Sequence, residues 1–298
     1  MRKKILFIIN PISGRRPKED LENIIRSNID ISIFDYRISY TQRPKHAREL
    51  AKAAADEGID IVCAVGGDGS AHEAGTALIG TKTALAIIPT GSGNGLARHL
   101  KIPMEISDSI RCINRMRTIE MDTAIAGTTP FLGTCGYGMD AAVARRFDEG
   151  GKRGIWKYIS LTAKELLGFK PIEAKISIGG KKWKTKAFMC SVANSSEFGN
   201  GFKISPKSIV ADGRLELVIV RPFSFWKAPY MAYRFFSGKN FRPGQVDIIQ
   251  FETMTIDVGC GPAHYDGEPS DADGEIEIRI VPKSLKVVTG DISDKNKT

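Results

Sequence analysis

Gly66-Gly67-Asp68-Gly69-Ser70 follows the apolar run Ile61-Val62-Cys63-Ala64-Val65 and precedes a helix-like segment that opens at about Ala71. Strand, glycine turn and helix start in that order read as one βα unit. Three glycines in four positions let backbone N–H groups approach a polyanion closely, and the following helix points its positive dipole end at the same spot. The stretch therefore reads as a phosphate cradle. A carboxylate in such a cradle repels phosphate unless a divalent cation lies between them, so Asp68 points to a magnesium-bound nucleoside triphosphate. The bland alternative is a ligand-free βα turn, since Gly and Asp are ordinary turn residues.

Two neighbouring loops repeat the pattern. Asn10-Pro11-Ile12-Ser13-Gly14-Arg15-Arg16 follows the apolar run Ile5–Ile9, with a helix pattern through about Asn28. Pro89-Thr90-Gly91-Ser92-Gly93-Asn94-Gly95 follows the run Ala84–Ile88 and opens a helix carrying Arg98. A strand is expected over Ile31–Ile38 and a helix over Pro44–Glu57, opened by proline and closed by Gly58. This alternation predicts an α/β domain with a doubly wound, mostly parallel sheet whose ligand crevice lies at the carboxyl ends of the strands. Two glycine cradles at one sheet edge can embrace one triphosphate. A helix is expected from about Glu105 to Arg115, and a further strand follows it, with Asp122 in that strand after Ile119-Glu120-Met121. Asp122 reads either as a second magnesium-directed carboxylate or as a polar residue ending a strand.

From about Ala124 the period changes. Lys175–Ile178, Lys184–Val192, Leu215–Val220, Val246–Gln250, Met254–Val258 and Glu275–Val281 are short β-rich segments separated by turns such as Gly179-Gly180 and Asp212-Gly213. They predict an antiparallel β-sandwich. The expected domains are residues 1–124 and 125–290, with a cleft between them and a polar tail over 291–298.

Composition narrows the class. The 298 residues are 42% hydrophobic and 26% charged, which excludes a disordered chain. A net charge of +9 favours an anionic partner: a nucleotide, an acidic membrane surface or nucleic acid. Cys63, Cys112, Cys135, Cys190 and Cys260 are odd in number and widely spaced, which fits reduced thiols in a cytosol better than disulfides or a zinc site. Asn10-Pro11 ends the first apolar run too early for a signal peptide, and no run reaches the roughly 18 apolar residues of a membrane span.

In sequence order these stretches resemble the diacylglycerol kinase catalytic family, the superfamily that includes sphingosine and ceramide kinases and soluble bacterial lipid kinases. The resemblance covers nearly the whole chain. Besides the glycine loops it includes Thr41, His72-Glu73, Gly136-Tyr137-Gly138-Met139-Asp140-Ala141, Asn194, Gly199-Asn200-Gly201, Pro206, Ala211-Asp212-Gly213-Arg214-Leu215 and Asp266-Gly267-Glu268. The family implies ATP in the cleft and a lipid-binding sandwich. Carried over by motif, Asn10, Pro11, Ile12, Ser13, Gly14, Thr41, Ser92 and the stretch Gly67, Asp68, Gly69, Ser70, Ala71, His72, Glu73 would contact ATP. Gly66 and Gly91-Ser92-Gly93-Asn94 complete the two cradles. Glu268, with Asp266 in its motif, would accept the proton of the lipid hydroxyl. Asp212, with the backbone at Ile209 and Arg214, matches the family's structural magnesium loop.

The chain departs from the family in two places. Many bacterial diacylglycerol kinases have Asp where this chain has Gly95, an aspartate that joins Asp68 in the magnesium network. Ser92-Gly93-Asn94-Gly95 and His72-Glu73 are closer to the sphingosine and ceramide kinase pattern, so a long-chain base is an alternative acceptor. Ser70 keeps the hydroxyl of the more usual threonine.

Lys152-Arg153-Gly154-Ile155-Trp156-Lys157-Tyr158 and the span Phe223–Arg242 interleave cations with aromatics, as a surface meeting an acidic bilayer would. Trp226, Tyr230 and Tyr233 also recur at helical spacing, which suits a face packed on the sandwich. The leading reading is a cytoplasmic ATP- and magnesium-dependent lipid kinase, peripheral to the inner face of the membrane. NAD kinases and phosphofructokinases share a Gly-Gly-Asp-Gly loop, and a nucleotide-gated lipid-binding protein without catalysis is the non-enzymatic reading. Nucleic-acid binding has no recognisable module behind it. The oligomeric state stays open, a homodimer among the options.

Overall fold

The computed structural model describes residues 2–14, 18–149, 161–162 and 168–291. Arg15, Arg16, the stretch Lys152–Tyr158 and residues 292–298 of the expected tail lie outside the described residues. The chain forms two units, residues 1–121 with 283–298, and residues 122–282.

In the first unit, strands β1 (Lys3–Ile9), β2 (Phe34–Tyr40), β3 (Ile61–Gly66) and β4 (Ala84–Pro89) alternate with helices α1 (Lys18–Asn28), α2 (His46–Asp56) and α3 (Asp68–Leu78). The strands lie in the order β2-β1-β3-β4, and every pair is parallel. β3 and β4 are buried along their whole length, as the continuous apolar runs of a parallel sheet must be. The chain goes outward from β1 to β2 and returns to β3 on the other side of β1. That reversal of winding opens a crevice beyond the carboxyl ends of β1 and β3. Asn10 and Gly67 are the first residues past those two ends.

Helices α4 (Gly95–His99) and α5 (Ile106–Asn114) follow β4. The helix expected over about Glu105–Arg115 is α5. Ile106, Ile110 and Ile113 fall at i, i+4 and i+7 and are buried together in the core, a period that a strand would split between two faces. The strand expected over Ile31–Ile38 starts later, because Asp30 turns the chain first: its Oδ1 accepts from the Ser32 N–H at 2.9 Å and hydroxyl at 2.6 Å.

The second unit is built from β5 (Thr118–Ala126, which enters from the first unit), β6 (Thr129–Phe131), β7 (Thr134–Gly138), α6 (Met139–Glu149), β8 (Ile172–Ile178), β9 (Lys181–Ala187) and β10 (Met189–Ala193). A small hairpin, β11 (Glu197–Gly199) and β12 (Phe202–Lys203), precedes β13 (Leu215–Val220) and α7 (Ala228–Ser237). Four consecutive strands complete it: β14 (Val246–Phe251), β15 (Thr253–Asp257), β16 (Gly261–Tyr265) and β17 (Glu268–Ala272), ahead of β18 (Glu275–Val288). One sheet, β14-β13-β10-β7-β16-β17, is antiparallel throughout. The other layer runs β18-β15-β8-β9 with antiparallel pairing. Ile176, Ile256 and Ile278 of this layer share one core with Tyr137, Val192 and Leu217 of the first, which is the packing of a β-sandwich. The segment Lys184–Val192, expected as one strand, divides at Phe188 into β9 and β10, which belong to opposite layers.

β18 is longer than the expected Glu275–Val281 because it serves both units. Its first half pairs with β15, and Val287 near its end runs parallel to Leu85 of β4. Residues 283–290, placed with the sandwich by their position after its last strand signal, lie in the first unit. Gly290 N–H donates to the Leu100 carbonyl at 2.9 Å, and a Cβ at Gly290 would lie 1.7 Å from the Lys101 carbonyl oxygen, so only glycine fits there.

Candidate active site

Loops leaving β1, β3 and β4 meet in the first unit. Asn10 Nδ2 donates to Ser70 Oγ at 3.3 Å, while its Oδ1 accepts from Ile12 N–H at 3.1 Å and sets the turn. The Thr90 hydroxyl donates to Ser13 Oγ at 3.2 Å, and Thr90 N–H to the Gly66 carbonyl at 2.9 Å. A Cβ on Gly91 would lie 2.5 Å from the Gly67 Cα, and one on Gly66 would lie 2.2 Å from Ser70 Oγ. The two glycine loops thus approach main chain to main chain. α3 begins at that contact, and its first-turn N–H groups have no acceptor within the helix, the arrangement that favours an anion.

Asp68 ties the loops together. Its Oδ2 accepts from Asn94 N–H and its Oδ1 from Gly95 N–H, both at 2.7 Å. Gly95 therefore contributes an amide to Asp68 in place of a second carboxylate. Asn94 holds a left-handed conformation with φ 56°, its Nδ2 donating to the Gly91 carbonyl at 2.8 Å, and its buried Oδ1 has no hydrogen-bond partner among the described residues. Arg98 Nε donates to the Gly93 carbonyl at 3.1 Å. Glu73 behaves differently from the loop residues: its carboxylate accepts from Lys45 and Ala47 N–H at 2.9 and 3.1 Å and so caps the start of α2. The His72 carbonyl accepts the Thr76 hydroxyl at 2.7 Å, and Thr41 N–H donates to the Ile9 carbonyl at 2.9 Å, which fixes the end of β2 beside β1.

The second unit carries the Asp-Gly-Glu motif on a hairpin. Asp266 and Gly267, with φ of 51° and 85°, are the two loop residues between β16 and β17, the geometry of a type I′ turn. Asp266 Oδ1 accepts from Gly133 and Thr134 N–H at 2.7 and 2.9 Å, and its Oδ2 from Leu132 N–H at 2.8 Å. Its carboxylate holds the turn against the loop between β6 and β7. Glu268, first residue of β17, is exposed.

Behind the turn lies a polar group that the sequence reading did not assemble. Asp140 accepts from the Ser191 hydroxyl, from Ala141 N–H at 2.9 Å and from His264 Nε2 at 3.3 Å, with both side chains of the Asp–His pair 4% exposed. His264 Nδ1 accepts Gly267 N–H at 3.3 Å, which assigns the proton of the neutral ring to Nε2. A Cβ on Gly136 would lie 2.1 Å from Asp140 Oδ2, so glycine makes room for the pair. The only sequence signal was Asp140 inside the Gly136–Ala141 motif.

Asp122 of β5 comes together with Asp212 of the turn before β13. Asp122, 1% exposed, accepts from Gly213 N–H at 2.7 Å through Oδ2, and Asp212 Oδ1 accepts from Arg214 N–H at 3.0 Å. Burial, with the nearby Asp122 charge, raises the Asp212 carboxyl above its ordinary value. A hard cation would relieve that repulsion. Among the described residues, however, no three His, Cys, Asp or Glu side chains converge on one point, so a cation here would need backbone carbonyls such as those of Ile209 and Arg214. At the glycine loops the fit to a magnesium nucleotide rests on the Asp68 charge beside the start of α3.

Two family models match the chain: "Diacylglycerol kinase catalytic domain" over residues 4–126 and "YegS C-terminal NAD kinase beta sandwich-like domain" over residues 133–289. The chain is 27% identical over 257 residues to a diacylglycerol kinase of Mycobacterium tuberculosis, with 81% of each chain covered. It is 25% identical over 220 residues to a "Probable lipid kinase YegS-like" of Klebsiella pneumoniae, covering 72% of this chain and 73% of that one. A crystal structure described as a diacylglycerol kinase from Bacillus anthracis superposes with a TM-score of 0.77 at 18% identity, covering 97% of both chains, a likeness of fold.

Proposed function

Because this chain belongs to the diacylglycerol kinase catalytic family, with a YegS-type C-terminal domain, we propose that it transfers the γ-phosphate of magnesium-bound ATP to a primary hydroxyl of a diacylglycerol-like lipid. ATP as donor follows from membership of a kinase family. The observation that carries the reading is the meeting of the β1, β3 and β4 loops at the reversal of sheet winding, with Gly67 and Gly91 in main-chain contact. In this reading Asn10–Gly14, Thr41, Gly66–Glu73 and Gly91–Asn94 hold the nucleotide, and Asp68 keeps the loops in register while lending charge toward the metal. Glu73 acts from behind, by fixing α2.

The acceptor hydroxyl gives its proton to the Glu268 carboxylate as its oxygen bonds to the γ-phosphorus, and the bond from that phosphorus to the bridging oxygen of ADP breaks. Magnesium, when bound, would neutralise charge on the phosphates. Asp266 is a positioning residue, because its oxygens face the amides of Leu132, Gly133 and Thr134. Asp212 and Asp122 stand apart from the chemistry, as a pair whose charge repulsion a cation would relieve. Glu268→Gln is expected to lower kcat by roughly 100-fold or more while ATP affinity and the fold persist. Near-normal turnover would remove Glu268 from this role.

A long-chain base remains the second acceptor, favoured by Gly95, which offers Asp68 an amide where many bacterial diacylglycerol kinases have an aspartate. We place the enzyme in the cytoplasm at the acidic inner face of the membrane. Support comes from the +9 charge and from five cysteines without disulfides. No helix among the described residues is long and apolar enough to cross a membrane.

A further inference from the structure

A lipid kinase must meet its acceptor at a bilayer, and one surface of the second unit has the chemistry for it. Residues 222–246 contain Lys227, Arg234, Lys239 and Arg242 and no Asp or Glu. α7 within this span is two-sided: Met231 and Phe235, 2% and 5% exposed, pack into a core with Ile204 and Val218. Tyr233 and Phe236 lie on the other side at 55% and 37% exposure, and the short 3-10 turn Phe225–Lys227 that leads into α7 presents Phe225 at 43% and Trp226 at 87%. Helical spacing thus accounts for Met231 and Phe235 as packing and leaves Trp226 and Tyr233 unexplained by it.

The cations are arranged around these rings. Lys239 Nζ sits 5.6 Å over the Tyr233 ring and 3.1 Å from its hydroxyl, and the Arg234 and Arg242 guanidinium groups stand 5.8 and 5.6 Å from the Tyr230 ring. Phe225 and Trp226 meet edge to face, with centroids 6.1 Å apart. An apolar wedge rimmed by cations, with no carboxylate in the span, is complementary to acyl chains beneath phosphate headgroups.

We propose that the Phe225–Lys227 turn and the outer face of α7 dock on an anionic phospholipid bilayer, an assignment that rests on the lipid-kinase reading. Trp226 and Phe225 enter the interface, while Lys227, Lys239 and Arg242 meet the phosphates. Docking needs neither nucleotide nor Glu268.

The test is co-sedimentation of the full chain, without ATP, with phosphatidylcholine vesicles and with phosphatidylcholine–phosphatidylglycerol vesicles. Activity on a short-chain diacylglycerol dispersed as monomers is measured alongside. The double variant Phe225→Ala/Trp226→Ala is expected to lose at least about tenfold in partitioning to the anionic vesicles, with monomer phosphorylation unchanged. Lys227→Glu/Lys239→Glu should remove the preference for phosphatidylglycerol, and thermal unfolding should match the wild type in both, since these side chains are exposed. Unchanged partitioning of both variants, or equal wild-type binding to the two vesicle types, overturns the proposal. So does a dimer that the aromatic variant breaks while vesicle binding is retained, which would assign the face to a second copy. Variant-sensitive vesicle binding by a wild type that phosphorylates no lipid would uphold docking and overturn the kinase reading instead.

Discussion

Asp68 and Asp266 use one device. Each places both oxygens on successive backbone N–H groups of a loop distant in sequence, and a carboxylate accepting two or three such bonds holds its loop in one geometry. Glycine does the complementary work by removing the atom that would keep the loops apart. Gly91→Ala would push a Cβ to 2.5 Å from the Gly67 Cα, a clash with backbone that cannot rotate away. It is expected to cost about 1–3 kcal/mol of stability and to weaken ATP binding, measured by calorimetry and by a thermal unfolding series with nucleotide. ATP affinity equal to the wild type would show that the contact between the loops is dispensable for the nucleotide. The glycines were readable in the sequence because their spacing after apolar runs is local. The three amides that hold Asp266 were not, because the turn at Leu132–Thr134 and the hairpin meet only through the fold. His264 was hidden for the same reason, since its partner Asp140 sits on another element.

Elements were legible where period and turn chemistry agreed. Gly179-Gly180, with φ of 56° and 79°, turns β8 into β9 as its sequence implies, and Asp266-Gly267 makes the same kind of turn. β9 is an outer strand, and Lys181, Lys182, Lys184 and Lys186 along it blunt the open edge against pairing with another chain. The helix at Ile106–Asn114 was legible because Ile106, Ile110 and Ile113 recur at helical spacing and are buried together. α4, which follows the second glycine loop, carries a pH dependence. Burial and the neighbouring Lys101 charge lower the His99 pKa from 6.5 to about 4. The unfolded chain then binds that proton more tightly than the folded one, so the stability tied to neutral His99 is full above about pH 6.5 and is lost as pH falls toward about 4. His99→Gln should flatten this part of the stability curve, by on the order of 1–2 kcal/mol, in unfolding midpoints compared between about pH 7 and about pH 4.5. An unchanged slope would place the acid sensitivity elsewhere.

At the scale of the whole molecule, the parallel and antiparallel halves were readable from the change of period near Ala124. The return of the last strand was not. Val287 pairs with Leu85 and Gly290 packs on Lys101, so residues 287–290 belong to the first unit although they follow the sandwich in sequence. No local pattern distinguishes a strand end that pairs within one unit from an end that pairs within another. The most direct measurement is transfer of label from γ-labelled ATP with magnesium to mixed micelles containing diacylglycerol, monoacylglycerol, phosphatidylglycerol, sphingosine or ceramide, with wild type and Glu268→Gln side by side. Label in one lipid class, diacylglycerol before sphingosine, and at least roughly 100-fold slower labelling with Glu268→Gln is the predicted result. ADP release with NAD or fructose 6-phosphate and with no lipid, or near-normal labelling by Glu268→Gln, would contradict it.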